Sequence, residues 1–428
     1  MTPSVRPAAI LGGNRIPFGR QFGAYAGASN QDMLTAAIDG LIARHGLAGQ
    51  RVGEVVAGAV IKHSRDFNLT RESVLGSALS SDTPAYDIQQ ACDTGLQAVM
   101  LVANKIALGQ IDSGIAGGVD TTSDAPIAVS ERLRKKLLRI NQAKGPVEMA
   151  KRALTLRPGD IGVVTPGITE PRTGLSMGEH MAQTTRRWGV TREAQDEIAM
   201  LSHTHLAASY ERGFQDDLVT PFHGLARDEN LRPESSMEAL GRLKPVFGKG
   251  EGATMTAGNS TPLSDGASVV LLGSQEYAAQ HNLPVLAYVV DGQTAAVDFV
   301  HGEEGLLMAP VYAAPRLLAR HGMALQDFDY YEIHEAFAAT VLVTLAAWED
   351  ADFCRDRLGL EQPLGPIDRS RLNVNGSSLA AGHPFAATGG RIVAATAKAL
   401  HEKGRGSRAL VSICAAGGQG VLAILEGA

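Results

Sequence analysis

Gln89-Gln90-Ala91-Cys92-Asp93-Thr94-Gly95-Leu96-Gln97-Ala98-Val99 decides how this chain is read. The preceding Pro84-Ala85-Tyr86-Asp87-Ile88 reads as a short strand. Residues 96–108, rich in Ala and Leu and free of Pro and Gly, read as a buried helix. Cys92 therefore sits at a strand-to-helix junction. Unpaired N–H groups and the positive end of the helix dipole gather at such a point, and both favour thiolate over thiol. The stretch alone leaves two readings open, a nucleophile or a small buried hydrophobe.

Outward from this junction, strand and helix signals alternate. Strands are expected over 8–12, 53–61 and 113–120, and helices over 32–45, where Gly46 is placed as the stop, and over 71–79. This alternation argues a layered α/β fold with a largely parallel sheet. Residues 124–251 lack the pattern and read as an inserted loop domain. It opens with the basic amphipathic stretch 130–140, supplemented by Lys144, Lys151 and Arg152. It continues with a helical region over about 177–212 and a loop-like stretch over 230–252. The sheet pattern returns over 255–273, and the remainder repeats the order of elements of the N-terminal part. The expected domains are 1–123 and 252–275 as one half, 124–251 as the insertion and 276–428 as the second half. Two similar halves would bring the Cys92 loop face to face with the equivalent loop around His383.

The composition excludes several classes. The 428 residues are 44% hydrophobic and 20% charged, with a net charge of −6, which suits an ordinary soluble globular protein and not a nucleic-acid binder. No apolar run is long enough for a transmembrane segment. Met1 to Pro7 carries no signal-peptide hydrophobic run, and Leu425-Glu426-Gly427-Ala428 is no peroxisomal address, so a cytoplasmic location is expected. Three cysteines, Cys92, Cys354 and Cys414, show no metal-ligand spacing and argue for a reducing compartment.

Three C-terminal stretches carry further chemistry. In Gly382-His383-Pro384, one histidine stands among small residues at a helix start. It suits a base that takes a thiol proton, or simply a loop histidine at a cap. His334-Glu335-Ala336-Phe337 follows an apolar strand. It is no zinc motif, since H-E-x-x-H is absent, and could also be an exposed polar pair. Cys414-Ala415-Ala416-Gly417-Gly418 puts a second thiol beside backbone N–H groups suited to an oxyanion. The alternative is a buried strand cysteine. The basic stretch 130–140 suits phosphates, an anionic membrane surface or an acidic partner, or is a solvated face.

Together these stretches resemble the thiolase family over nearly the whole chain. The resemblance extends to Arg15-Ile16-Pro17-Phe18-Gly19-Arg20, Ser176-Met177-Gly178, Thr191-Arg192-Glu193-Ala194 and Thr256-Ala257-Gly258-Asn259-Ser260-Thr261-Pro262-Leu263. It implies a five-layered αβαβα fold of two duplicated halves with an inserted loop domain. The implied activity is CoA-dependent cleavage of 3-ketoacyl-CoA, with coenzyme A as substrate, no permanently bound cofactor and no metal. Cys92 would be the acylated nucleophile, His383 its base, Cys414 the acid–base thiol and His334 an oxyanion donor. The backbone N–H groups of Cys92 and Ala416 would form a second oxyanion site. Ser176, Met177, Thr261 and Phe337 would contact CoA. Most thiolases carry Asn where this chain has His334, many short-chain members have His in place of Ser176, and Gly is frequent in place of Ala416. The stretches 334–337, 259–263 and 382–389 together resemble the β-subunits of trifunctional fatty-acid oxidation complexes, which implies β-oxidation of medium or long acyl chains and a hydratase/dehydrogenase α-subunit as partner, while the family resemblance implies a homodimer or dimer of dimers. Alternatives are an acetoacetyl-CoA thiolase, a decarboxylating ketosynthase with a Cys-His-His site, a non-catalytic acyl-CoA-binding protein and a scaffold subunit.

Overall fold

A computed structural model describes residues 5–167, 169–250 and 252–428. The segment Met1 to Ser4, read above for targeting signals, and the expected boundary at Glu251 lie outside the described residues.

Ten strands form one sheet: β1 (Ala8–Arg15), β2 (Gly19–Arg20), β3 (Glu54–Ala57), β4 (Ala85–Asp87), β5 (Ser113–Asp120), β6 (Ser264–Gly273), β7 (Ala287–Ala296), β8 (Tyr330–Ile333), β9 (Arg408–Ala415) and β10 (Gln419–Gly427). Their order is β8-β9-β10-β7-β1-β6-β5-β3-β4, with β2 on the start of β6. The N-terminal and C-terminal halves of the chain meet where Ala8–Ile10 of β1 pairs with Ala287–Val289 of β7.

The layers follow from the side-chain alternation of the strands. Ala9, Leu11, Ala267, Val269 and Leu271 point to an outer core shared with the helix Asn30–His45. Ile10, Val270 and Leu272 point the other way, to a central core built around the helices Thr94–Ala107 and Ala387–Lys403. On the C-terminal side Ala409, Val411, Ile413, Val421 and Ala423 close that same central core. Leu410, Leu422 and Ile424 face a second outer core with the helices Ala309–His321 and Ala338–Glu349. Helix, N-terminal half of the sheet, helix, C-terminal half of the sheet, helix is the resulting stack, the five-layered αβαβα arrangement expected.

The sheet is mixed, which corrects the expectation of a largely parallel one. Only β3·β4, β3·β5 and β8·β9 are parallel. A parallel neighbour needs a crossover connection, whereas β9 and β10 are joined by a tight turn and so run antiparallel. The same holds for β6, which returns from the insertion to lie antiparallel between β1 and β5.

Other elements shift for local reasons. The strand expected over 53–61 stops at Ala57, because the Val60 and Ile61 N–H groups go to the Asp120 carboxylate instead of a ladder. The region 177–212 is two helices, Met177–Arg187 and Arg192–Glu211, separated by Gly189 at φ +60° and capped anew by Thr191. The stretch 230–252 holds a short helix, Met237–Gly241, and a strand, Pro245–Phe247, that pairs with Met255–Thr256. The basic stretch forms the helix Glu131–Asn141, followed by Pro146–Ala153; neither buries a residue. Among the described residues no helix is long and apolar enough to cross a membrane.

Candidate active site

The Cys92 turn is held by its own backbone. Ala91 adopts φ +47°, which a residue with a Cβ rarely does. Thr94 ties the turn down, its Oγ1 accepting from Gln90 N at 2.9 Å and donating to Ala91 O at 2.7 Å. The central helix starts at Thr94, so the half-buried Cys92 stands just ahead of its N-terminus.

His383 arrives from the other half. Gly382 at φ +103° turns the chain, and the His383 N–H donates to Ser264 Oγ at 3.2 Å. Three residues on, the Ala386 N–H donates to Asp120 at 2.9 Å, which ties this loop to the N-terminal half. The imidazole lies between two partners, Nε2 at 3.1 Å from Cys92 Sγ and Nδ1 at 2.6 Å from Thr388 Oγ1. With Nδ1–H donating to Thr388, Nε2 is the free base facing the thiol.

His334 follows β8 and continues its register, its N–H donating to Ser412 O at 2.8 Å. Its ring centroid is 4.3 Å from that of His383. Nδ1 meets Ser378 Oγ at 2.9 Å, while Nε2 is buried and has no partner among the described residues. Glu335 points away from the site. Its carboxylate accepts from Ser202 Oγ (2.7 Å), Asn373 Nδ2 (2.8 Å) and Leu379 N (3.1 Å), and so anchors the strand end. It is a buried structural carboxylate, which removes the reading of an exposed polar pair.

Cys414 is the penultimate residue of β9 and is buried. The turn after it runs through Gly417 and Gly418, both at positive φ near +70 to +80°, which glycine alone adopts without strain. Glu170 of the insertion accepts from Gly417 N at 2.7 Å and holds this turn in place. The Ala416 N–H points at the Cys92 sulfur.

Burial dominates the electrostatics. It pushes the Cys92 thiol up to about 12, helped by neighbouring Asp93 and opposed by the Ala416 and Cys92 N–H groups. The thiolate-favouring junction expected from sequence is thus overridden: desolvation outweighs the local N–H groups. Burial likewise takes His383 down to about 3, with Arg391 adding to it, and His334 well below its ordinary value. The Cys414 thiol is driven well up by burial and by nearby Cys92. Asp93 is buried without a partner for either carboxyl oxygen among the described residues, and burial raises it strongly. The resting site is therefore a set of neutral acids and bases packed together.

Of the four residues expected to contact CoA, Thr261 and Phe337 lie along the chain segment that follows His334. Thr261 donates to Ala336 O through both its N–H (3.2 Å) and its Oγ1 (2.9 Å), two residues beyond His334. Phe337 packs edge-on to Phe247, centroids 5.8 Å apart, and Gly178 lies directly against the Phe247 ring. Met177 is half-buried against the same core. The Ser176 hydroxyl caps the helix Met177–Arg187, accepting from Glu179 N at 3.2 Å in a reciprocal capping box. Sequence reading assigned nothing to Thr388, Asp120, Ser264, Asn373 and Ser378. Only Thr388 carried a usable signal, lying five residues after His383 at the second position of the helix Ala387–Lys403.

Residues 8–276 match the thiolase N-terminal domain and residues 283–427 the thiolase C-terminal domain. The chain belongs to the thiolase family. It is 39% identical over 424 residues to a 3-ketoacyl-CoA thiolase of Pectobacterium atrosepticum, covering 98% of this chain and 96% of that one. It is 38% identical over 423 residues to a 3-ketoacyl-CoA thiolase of Yersinia pestis, covering 97% and 96%. Among solved structures it resembles the Bacillus anthracis acetyl-CoA acetyltransferase, with a TM-score of 0.81, 28% identity and 99% and 100% coverage. It also resembles human mitochondrial 3-ketoacyl-CoA thiolase, with a TM-score of 0.80, 26% identity and full coverage of both chains. Thiolase membership makes the chain an acyltransferase, and the two halves of the family pattern join within the 277–282 stretch that links β6 to β7.

Proposed function

We propose that this protein cleaves 3-ketoacyl-CoA with coenzyme A to give acetyl-CoA and a shortened acyl-CoA. The observation that carries the reading is the 3.1 Å contact between Cys92 Sγ and the free Nε2 of His383, with a second thiol, Cys414, nearby. Because thiol and imidazole are both neutral at rest, the proton moves to His383 as the Cys92 sulfur bonds to the 3-keto carbon. The tetrahedral oxygen is met by the N–H groups of Cys92 and Ala416. The bond between C2 and C3 then breaks, leaving acyl-Cys92. The departing acetyl-CoA enolate, its thioester oxygen held by His383 Nε2–H and His334, takes the Cys414 proton at C2. Free CoA next gives its thiol proton to the Cys414 thiolate and attacks acyl-Cys92. The Cys92 sulfur leaves and recovers its proton from His383. Thr261, Phe337 and the Ser176–Met177 helix start form the wall against which CoA lies.

The setting we propose is cytoplasmic fatty-acid β-oxidation, in a homodimer or dimer of dimers with a hydratase/dehydrogenase subunit as partner. The hairpin of helices Glu131–Asn141 and Pro146–Ala153, with exposed Leu137, Leu138, Val147 and Met149, supports a partner-facing role for the insertion.

A thiolysis assay on 3-ketoacyl-CoA substrates of increasing chain length, with Cys92→Ser as control, tests the reading. Cleavage of long chains supports it. Cleavage of acetoacetyl-CoA alone makes the protein a short-chain thiolase, and no cleavage by the folded protein overturns it.

A further inference from the structure

His334 has one ring nitrogen bonded and one bare, and which of them carries the proton decides what the residue does. The answer lies in Ser378 and, behind it, Arg391. Arg391, on the central helix Ala387–Lys403, is buried and extends Nη2 to 3.0 Å from Ser378 Oγ and 3.2 Å from Ser377 Oγ. A guanidinium has no acceptor, so Ser378 Oγ accepts from it. The single Ser378 hydroxyl proton then needs an acceptor, and among the described residues its other hydrogen-bond partner is His334 Nδ1, at 2.9 Å. Buried polar atoms are paired wherever geometry allows. The opposite assignment, Nδ1–H donating to Ser378, would strand the serine proton in a buried site and aim the Nε2 lone pair at the substrate oxygen.

We infer that Ser378, oriented by Arg391, is a positioning residue that locks His334 in its Nε2-protonated tautomer, so that a neutral imidazole N–H is aimed at the thioester oxygen of the substrate. This deepens the proposed function and rests on it. The Nε2–H so placed is the buried, unpartnered atom of His334, 4.3 Å ring to ring from His383. It supplies a second donor to the enolate oxygen beside the His383 N–H formed when Cys92 gives up its proton. Burial keeps His334 neutral, and the nearby His383 and the buried Arg391 charge add to it.

The experiment combines two readouts on the full-length protein. The first is the nitrogen chemical shifts of the ring in protein labelled with 15N-histidine, with His334→Asn to assign the signal. The second is thiolysis kinetics of Ser378→Ala and Ser378→Thr. We expect wild-type His334 to be protonated at Nε2. Ser378→Ala should lower kcat on the order of 100-fold with KM little changed, as for loss of one oxyanion donor. Its Cys92 alkylation rate should stay within about twofold of wild type, since the Cys92–His383 pair is untouched. Ser378→Thr should recover most of kcat. An Nδ1-protonated His334 in the wild type overturns the inference whatever the kinetics. So does an Ser378→Ala enzyme with unchanged kcat. If the wild type shows no thiolysis, the proposed function fails instead, and the tautomer still tests the relay. If Ser378→Ala does not fold by circular dichroism, the wild-type tautomer and Ser378→Thr decide.

Discussion

Gly95 and Gly390 stand back to back where the two central helices touch. A methyl group on Gly95 would lie 2.9 Å from the Gly390 nitrogen and 2.6 Å from the Ala386 carbonyl oxygen. One helix starts beside Cys92 and the other beside His383, so this contact sets the separation of the proposed nucleophile and base. Gly95→Ala should push the helices apart. Overpacking of this kind costs about 1–3 kcal/mol, and an ångström of misplacement costs about 100-fold in rate. Thiolysis and thermal melting together check this: a large loss of kcat/KM with a modest loss of stability is expected.

In the proposed mechanism Cys414 enters only once a proton must reach carbon. Cys414→Ala should therefore still form acyl-Cys92 from a 3-ketoacyl-CoA, detectable by mass spectrometry of the intact protein. Turnover should fall roughly 100- to 10,000-fold, the range for loss of a general acid–base. Turnover close to wild type would remove Cys414 from the mechanism.

The neutral Cys92–His383 pair has a pH signature. The thiol sits at about 12 and the imidazole at about 3. Between these values neither group changes charge in the free protein. Alkylation of Cys92 by iodoacetamide should rise about tenfold per pH unit from 7 to 10, following the thiolate fraction. It should show no inflection near 6.5. A plateau already reached at pH 7 would mean a preformed thiolate–imidazolium pair.

Glu332 gives a stability prediction with a definite sign. Burial raises its carboxyl to about 8, only partly offset by Arg391. Its folded value lies above its unfolded one, so the fold carries its proton upward in pH. The stability this contributes is complete below about 4.5 and is lost as pH rises toward about 8. Glu332→Gln removes that dependence. The urea-unfolding free energy of Glu332→Gln minus wild type should climb between pH 4.5 and 8 and then level. The full amplitude is on the order of 5 kcal/mol. A difference independent of pH would show that Glu332 is ionised in the fold.

The sequence by itself determined the pieces that depend on neighbours along the chain. The strand over 113–120 appears at the same residues, and Gly46 ends its helix in the left-handed conformation, because alternation and caps are local properties. The strand-to-helix junction at Cys92 and the glycine-flanked His383 were legible for the same reason, as was the layered α/β class. Strand direction was not, because it depends on whether a connection crosses over or turns back. The thiol's protonation was not either. The local N–H groups predicted a thiolate, and the desolvation that overrides them comes from residues hundreds of positions away. Thr388 behind His383, Asp120 holding Ala386, and Ser378 between Arg391 and His334 are ordinary residues in sequence. Their roles exist only where three separate segments converge, since a buried hydrogen bond is a property of the assembled neighbours and not of either residue alone.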